Sequence, residues 1–399
     1  MRAILALAVL LAQTAAERPR LSPEIFRGRR AALAARFPGE TLVLDAGPLK
    51  EPGDDANAPV LDFKYLTGFH DPEGRLVLRE GRGVVFTDDP AGAGWGIEEV
   101  HETARFPTWA AEHLAGSPKL LVKLRPPSLE ALRKAAPGAE LVDGPLRDAL
   151  VRMRLLKSAD EVRCHRVAAA ATAAAFRQIA RRLRPGRNEH EIQEVVREAF
   201  RANGCPEVAY PPILGAGRNG TILHYMDNNR QIPEGTLLLC DIGASFENYA
   251  ADITRTFPVS GRFSPSQRLH YQAVLDALKA AERVLRPGAN FGTLDRAARA
   301  VFEERGLVKW SYAHSRDFSV RHGIGHYVGM NVHDSGTYRE RFEPGMVVTI
   351  EPGWYDKDAG YGIRIEDFYL VTESGFERLS SETPREADDV ERLMRREDY

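Results

Sequence analysis

The stretch VRHGIGHYVGMNVHD (320–334) places His322, His326, His333 and Asp334 within one turn-rich segment. Lone histidines are usually structural, so this cluster needs partners before it reads as a site. His322 and His326 stand four apart, a spacing that would put both imidazoles on one face of a helix. Gly323 and Gly325 argue against a helix, and no glutamate follows His322, so this is not the HExxH arrangement of zinc proteases. On an extended or turning backbone, His322 and His326 take separate roles.

Carboxylates supply the partners. IPEGTLLLCDIG (232–243) aligns with FEPGMVVTIEPG (342–353), setting Asp241 opposite Glu351. ADITRTFPV (251–259) aligns with RIEDFYLV (364–371), setting Asp252 opposite Glu366. In each half one acidic residue ends an apolar strand and a second lies on the next strand. Carboxylates in sheet-forming sequence are costly unless compensated, and four together repel and raise one another's pKa. A local arginine (Arg255 or Arg364) or solvent could satisfy any one of them. A matched quartet points instead to a pair of divalent cations. One imidazole with four carboxylates is an oxygen-rich set that suits Mn²⁺ best, with Co²⁺, Fe²⁺ or Zn²⁺ as alternatives.

The elements that must position these residues come in two copies. Ser158 and Glu161 form a capping box that opens a long alanine-rich helix, stopped at Arg184-Pro185-Gly186. Asn188, with Glu191 three residues on, caps a second helix that ends at Asn203-Gly204. Ser264-Pro265 opens the next pair, with stops at Arg286-Pro287-Gly288 and Arg305-Gly306. The Pro-Gly stops, the closing glycines, and the pairs His224-Tyr225 and His326-Tyr327 all share an offset of 102. That repetition predicts two helix–helix–strand–strand units related by an approximate two-fold.

Before residue 150, strand-like runs (41–47, 74–80, 83–89, 119–124) alternate with helical ones, predicting a smaller α/β module without a catalytic constellation. A loop is expected around Pro90–Gly96. At 399 residues two domains are natural, here 17–150 and 151–399. Residues 1–16, MRAILALAVLLAQTAA, have the layout of a secretory signal peptide, too short to span a bilayer. Export to the periplasm or outside the cell follows as an expectation. Net charge is −2, with no basic stripe interleaved with aromatics, so nucleic acid is not an expected partner. Three cysteines, Cys164, Cys205 and Cys240, match no zinc or disulfide framework.

Asp241 and Asp252 eleven apart, then HGIGH, IEPG and RIED, resemble the pita-bread metallopeptidases, the family of methionine aminopeptidase, aminopeptidase P and prolidase. DFKYLTGF (62–69), HGIGHYVGMNVHD and TPREADDVERLM (383–394) resemble its proline-specific branch. The resemblance implies an α+β chain whose C-terminal pita-bread domain has an internal pseudo-two-fold. It also implies hydrolysis of the N-terminal Xaa-Pro bond by two metal ions with a bridging hydroxide. Asp241 would bind one metal, Asp252 and Glu366 both, and His326 and Glu351 the other. Glu351 would also shuttle the proton, and His224, His322 and His333 would steady the peptide carbonyl, His224 and His333 contacting substrate. Arg364, two residues before Glu366 and so on its face of a strand, would orient that carboxylate or meet substrate, with Tyr355 beside it. The implied partner is a peptide with proline second, and the implied assembly a dimer or tetramer. Prolidase, which cleaves only Xaa-Pro dipeptides, is the nearest alternative; a creatinase-like hydrolase or a non-catalytic relative is remoter. GAGWGIEEVHETARF (92–106) and the short segment between Tyr355 and Gly362 depart from the aminopeptidase P pattern.

Overall fold

A computed structural model describes residues 21–46, 61–89, 96–314 and 321–395. The expected leader and most of the loop expected at 90–96 lie outside these residues. The chain divides after Arg154 into two units, against the expected boundary at 150.

The first unit runs α1 (Pro23–Ala34), β1 (Thr41–Asp45), α2 (Asp62–Thr67), β2 (Arg75–Arg79), β3 (Arg82–Phe86), β4 (Glu99–His101), α3 (Phe106–Leu114), β5 (Lys119–Lys123), α4 (Pro126–Ala135), β6 (Glu140–Val142) and α5 (Pro145–Leu155). Its strands form one mixed sheet, ordered β4-β3-β2-β1-β5-β6. Valines and leucines of β1, β2 and β5 pack with Phe86, Phe106 and Trp109. Asp62, which opens the DFKYLTGF motif, is buried against Lys123 and Arg154. Burial alone would raise its pKa, but those two cations outweigh it and hold the carboxyl at about 2. That motif is therefore a structural anchor.

The second unit opens with α6 (Ala159–Arg182), started by the expected Ser158–Glu161 capping box, and α7 (Glu189–Ala202). There follow β7 (Glu207–Val208), β8 (Ile213–Ala216), β9 (Leu237–Ile242), β10 (Ala244–Phe246), β11 (Tyr249–Ala250) and β12 (Ile253–Pro258). The second copy comprises α8 (Pro265–Glu282), α9 (Phe291–Glu304), β13 (Val347–Ile350), β14 (Gly353–Asp356), β15 (Tyr361–Arg364), β16 (Asp367–Thr372) and β17 (Gly375–Arg378), and α10 (Ala387–Met394) closes the chain. Both ends of α9 lie 102 residues after those of α7, as the repeat predicts. Helix α8 stops at Glu282, earlier than the Pro-Gly signal, because successive turns (Val284 N–H to Ala281, Leu285 N–H to Glu282) carry the chain on to Gly288.

β9 is the middle strand between β8 and β12, and β16 lies between β13 and β17. The two copies are stitched at their junction. Arg255, fully buried, donates to the carbonyls of Thr254, Glu366, Thr383 and Pro384 and to Asp367 Oδ1 (2.6 Å). Arg385 bonds Asp367 and Glu282 from the same closing segment. TPREADDVERLM thus holds both copies together, and Arg255 pairs with a structural aspartate.

Candidate active site

Asp241 stands on β9 opposite Thr254 and Ile213. Asp252 precedes β12 by one residue, Glu351 follows β13 by one, and Glu366 lies in the two-residue link between β15 and β16. Asp252 and Glu366 were expected on strands. Both sit just outside, where a side chain is freed from the alternation of a sheet and can turn toward the axis. Arg364 therefore does not share a strand with Glu366. The two meet on Thr254, whose hydroxyl donates to Glu366 Oε2 (2.7 Å) and accepts from Arg364 Nε (3.3 Å).

HGIGH is extended and lies along β13, not in a helix. Thr349 N–H donates to the His326 carbonyl, His326 N–H donates to the Thr349 hydroxyl, and Glu351 N–H bonds the Ile324 carbonyl. Gly325 is required here, since a Cβ would stand 2.2 Å from the Thr349 carbonyl oxygen. His326 Nδ1 faces the Tyr327 carbonyl (3.1 Å), which fixes the proton there and leaves the Nε2 lone pair aimed inward. Nε2 is 3.2 Å from Asp252 Oδ2 and 3.5 Å from Glu351 Oε1. Ligand atoms of Asp252, His326 and Glu366 all lie within 4.8 Å of one another.

Asp241 and Glu351 flank that trio. Asp241 Oδ2 accepts from Arg364 Nη2 (2.7 Å), so one of the four carboxylates does take a local arginine. Tyr210, absent from the sequence expectations, places its single hydroxyl 2.5 Å from Asp241 Oδ1 and 2.6 Å from Asp252 Oδ1. Burial and the surrounding carboxylates push its pKa well above the usual tyrosine range, so it stays a neutral donor. A signal for it existed: Tyr210 and Tyr312 share the offset of 102.

His322 is held at both nitrogens. Nδ1 donates to the Gly323 carbonyl (2.8 Å), and Nε2 accepts from Tyr355 Oη (2.9 Å), which in turn accepts from Arg364 Nη1 (3.1 Å). Burial first, then Arg364, lowers its pKa to about 3, with His224 and His326 acting in the same direction. A neutral ring with both nitrogens engaged orients Tyr355 and Arg364, and its Nδ1 also stands 3.5 Å from Glu351 Oε2. The His333 ring stands edge-on to His326, centroids 4.2 Å apart. His224 is exposed.

The donor set fits divalent metal. Four carboxylates and an imidazole converge beside the buried Arg364. Burial, aided by Asp252 and Asp241 against His326 and Arg364, pushes Glu351 up to about 7. Glu366 rises well above the carboxylate range, from burial and then Asp252. Burial opposes charge on His326, but Asp252 and Glu351 outweigh it and push the ring up to about 9.

A duplicated helix–helix–strand unit that turns two carboxylates from each copy toward a shared imidazole defines a metal-dependent hydrolase. The chain belongs to metallopeptidase family M24, whose model matches residues 163–373. It is 32% identical to the Xaa-Pro aminopeptidase of Escherichia coli (strain K12), over 94% of this chain and 98% of that protein. Among solved structures, aminopeptidase PepP of Pseudomonas aeruginosa aligns with a TM-score of 0.83 at 31% identity, covering 94% of this chain and 98% of that one. An Escherichia coli aminopeptidase P variant in complex with substrate aligns at 0.82 and 28% identity, covering 94% and 99%. These likenesses bear out the expected pita-bread fold and a metal-dependent aminopeptidase, and none favours prolidase.

Proposed function

We propose that this enzyme removes the N-terminal residue from peptides whose second residue is proline. The observation that carries the reading is likeness to Xaa-Pro aminopeptidases along 94% of the chain, well beyond the residues 163–373 that match the metallopeptidase family. Asp241, Asp252, His326, Glu351 and Glu366 would hold two divalent ions, with Mn²⁺ favoured by the oxygen-rich donors. When bound, such ions activate water and polarise the scissile carbonyl.

The chain's own residues supply the rest. Glu351 would accept a proton from the attacking water and pass it to the leaving proline nitrogen. Tyr210 holds Asp241 Oδ1 and Arg364 holds Asp241 Oδ2. His224 and His333, both reachable by solvent, would donate to the peptide carbonyl and to the oxyanion that develops from it. His322 bonds the Tyr355 hydroxyl, which accepts in turn from Arg364.

We further propose export through residues 1–16 and assembly as a homo-oligomer. Among the described residues no helix is long and apolar enough to cross a membrane.

The test compares Xaa-Pro dipeptides, Xaa-Pro-Yaa tripeptides and longer peptides, using Mn²⁺-loaded protein without residues 1–16. Cleavage of the longer peptides supports the proposal. Cleavage of dipeptides alone makes the enzyme a prolidase, and cleavage of neither with Mn²⁺, Co²⁺, Fe²⁺ or Zn²⁺ removes the reading.

A further inference from the structure

Glu189 is the first residue of α7 and is fully buried. Its carboxylate accepts four hydrogen bonds, all from neutral donors. Oε1 takes Ala216 N–H (2.8 Å) and Asn219 Nδ2 (2.9 Å); Oε2 takes Tyr225 Oη (2.8 Å) and Arg230 N–H (3.0 Å). These donors span residues 216–230, the segment that carries His224. One carboxylate therefore gathers both ends of that segment and the residue next to the histidine.

The second copy makes the same connection with different chemistry. Asn188 and Asn290 cap equivalent helices, Glu189 corresponds to Phe291, and Tyr225 corresponds to Tyr327. Phe291 meets Tyr327 edge-to-face, centroids 5.1 Å apart at 77°, and Tyr327 follows the ligand His326. In each copy, then, the first helical side chain holds the tyrosine that follows the functional histidine. The tyrosine after the buried His326 is held by ring packing. His224 is exposed, so packing cannot fix it, and a hydrogen-bonded carboxylate takes over.

We propose that Glu189 and Tyr225 are positioning residues for His224, a latch that sets where its imidazole meets the substrate. The inference rests on the reading that His224 contacts the peptide. Removing the Tyr225 hydroxyl loosens one bond of four and leaves the other three donors in place.

The experiment is a double-mutant cycle on Mn²⁺-loaded protein with an Xaa-Pro-Yaa tripeptide. Tyr225→Phe is expected to lower kcat/KM about tenfold, with metal content and melting temperature close to wild type. In a His224→Ala background the same substitution is expected to change nothing further, because a residue acting through His224 has nothing left to position. Glu189→Gln, which sets an amide donor against a donor at one end, is expected to lose more than Tyr225→Phe. Effects of Tyr225→Phe and His224→Ala that multiply overturn the latch, as does Tyr225→Phe with wild-type kinetics. Wild-type protein that cleaves no Xaa-Pro peptide fails at an earlier step and removes the substrate reading instead.

Discussion

Tyr210 shows what a single hydroxyl does among carboxylates. It stands within hydrogen-bond reach of both Asp241 and Asp252, so it fixes their spacing before any metal arrives. Tyr210→Phe is expected to lower hydrolysis about 10- to 100-fold and to weaken metal binding, since partners one step behind the ligands usually carry that much. Steady-state rates beside a calorimetric Mn²⁺ titration would check this; unchanged affinity and rate would contradict it. A different residue sets an acid limit on the fold. His165 is fully buried, donates Nδ1–H to the Ala250 carbonyl (2.7 Å), and is lowered to about 3, chiefly by burial. Its folded pKa lies below the unfolded value of 6.5, so the unfolded chain binds the extra proton between those values. Stability from His165 is therefore complete above pH 6.5 and falls as pH drops toward 3. Between pH 7.5 and 5 the advantage of wild type over His165→Gln in urea unfolding should shrink by about 2 kcal/mol; a constant gap would contradict the assignment.

At the scale of elements, the HGIGH segment and β13 form the close approach that aims His326. The two glycines are not equivalent. A Cβ on Gly325 would meet the Thr349 carbonyl, whereas Gly323 has nothing nearer than 3.7 Å. Gly325→Ala should destabilise the protein by about 2 kcal/mol or more and reduce metal uptake, while Gly323→Ala should stay within about 0.5 kcal/mol. Thermal melts of the two variants decide it, and equal melts would contradict the packing account. This contrast also marks what the sequence could show. Offset and capping residues made the paired helices legible, because caps and repeats are local signals. The carboxylate quartet was legible for the same reason, as strand-end residues in matching segments. Tyr210 lies in no regular element, and its role depends on where the chain returns in space, so only its offset from Tyr312 hinted at it. The positions of Asp252 and Glu366 outside their strands, and the turn of Arg364 onto Thr254, depend on how the copies meet. No single segment encodes that.

Over the whole catalytic unit, two copies of one motif bring together negative charge that neither copy alone would concentrate. Arg255, Asp367 and the closing TPRE segment hold the copies together, while the buried carboxylates between them repel one another. Metal should therefore stabilise the fold as well as switch on the chemistry. Mn²⁺ at a hundred times its dissociation constant should add about 2.7 kcal/mol over chelator-treated protein; identical melting curves with and without Mn²⁺ would contradict that coupling. The claim beneath all of this is that Asp241, Asp252, His326, Glu351 and Glu366 together hold a dinuclear metal centre. Metal analysis of Mn²⁺-loaded, desalted wild type and Asp252→Asn, with peptide hydrolysis measured on the same samples, tests it most directly. Two ions per wild-type chain are expected, and fewer ions with lost hydrolysis in the variant. An Asp252→Asn protein that keeps both ions and the wild-type rate would contradict it.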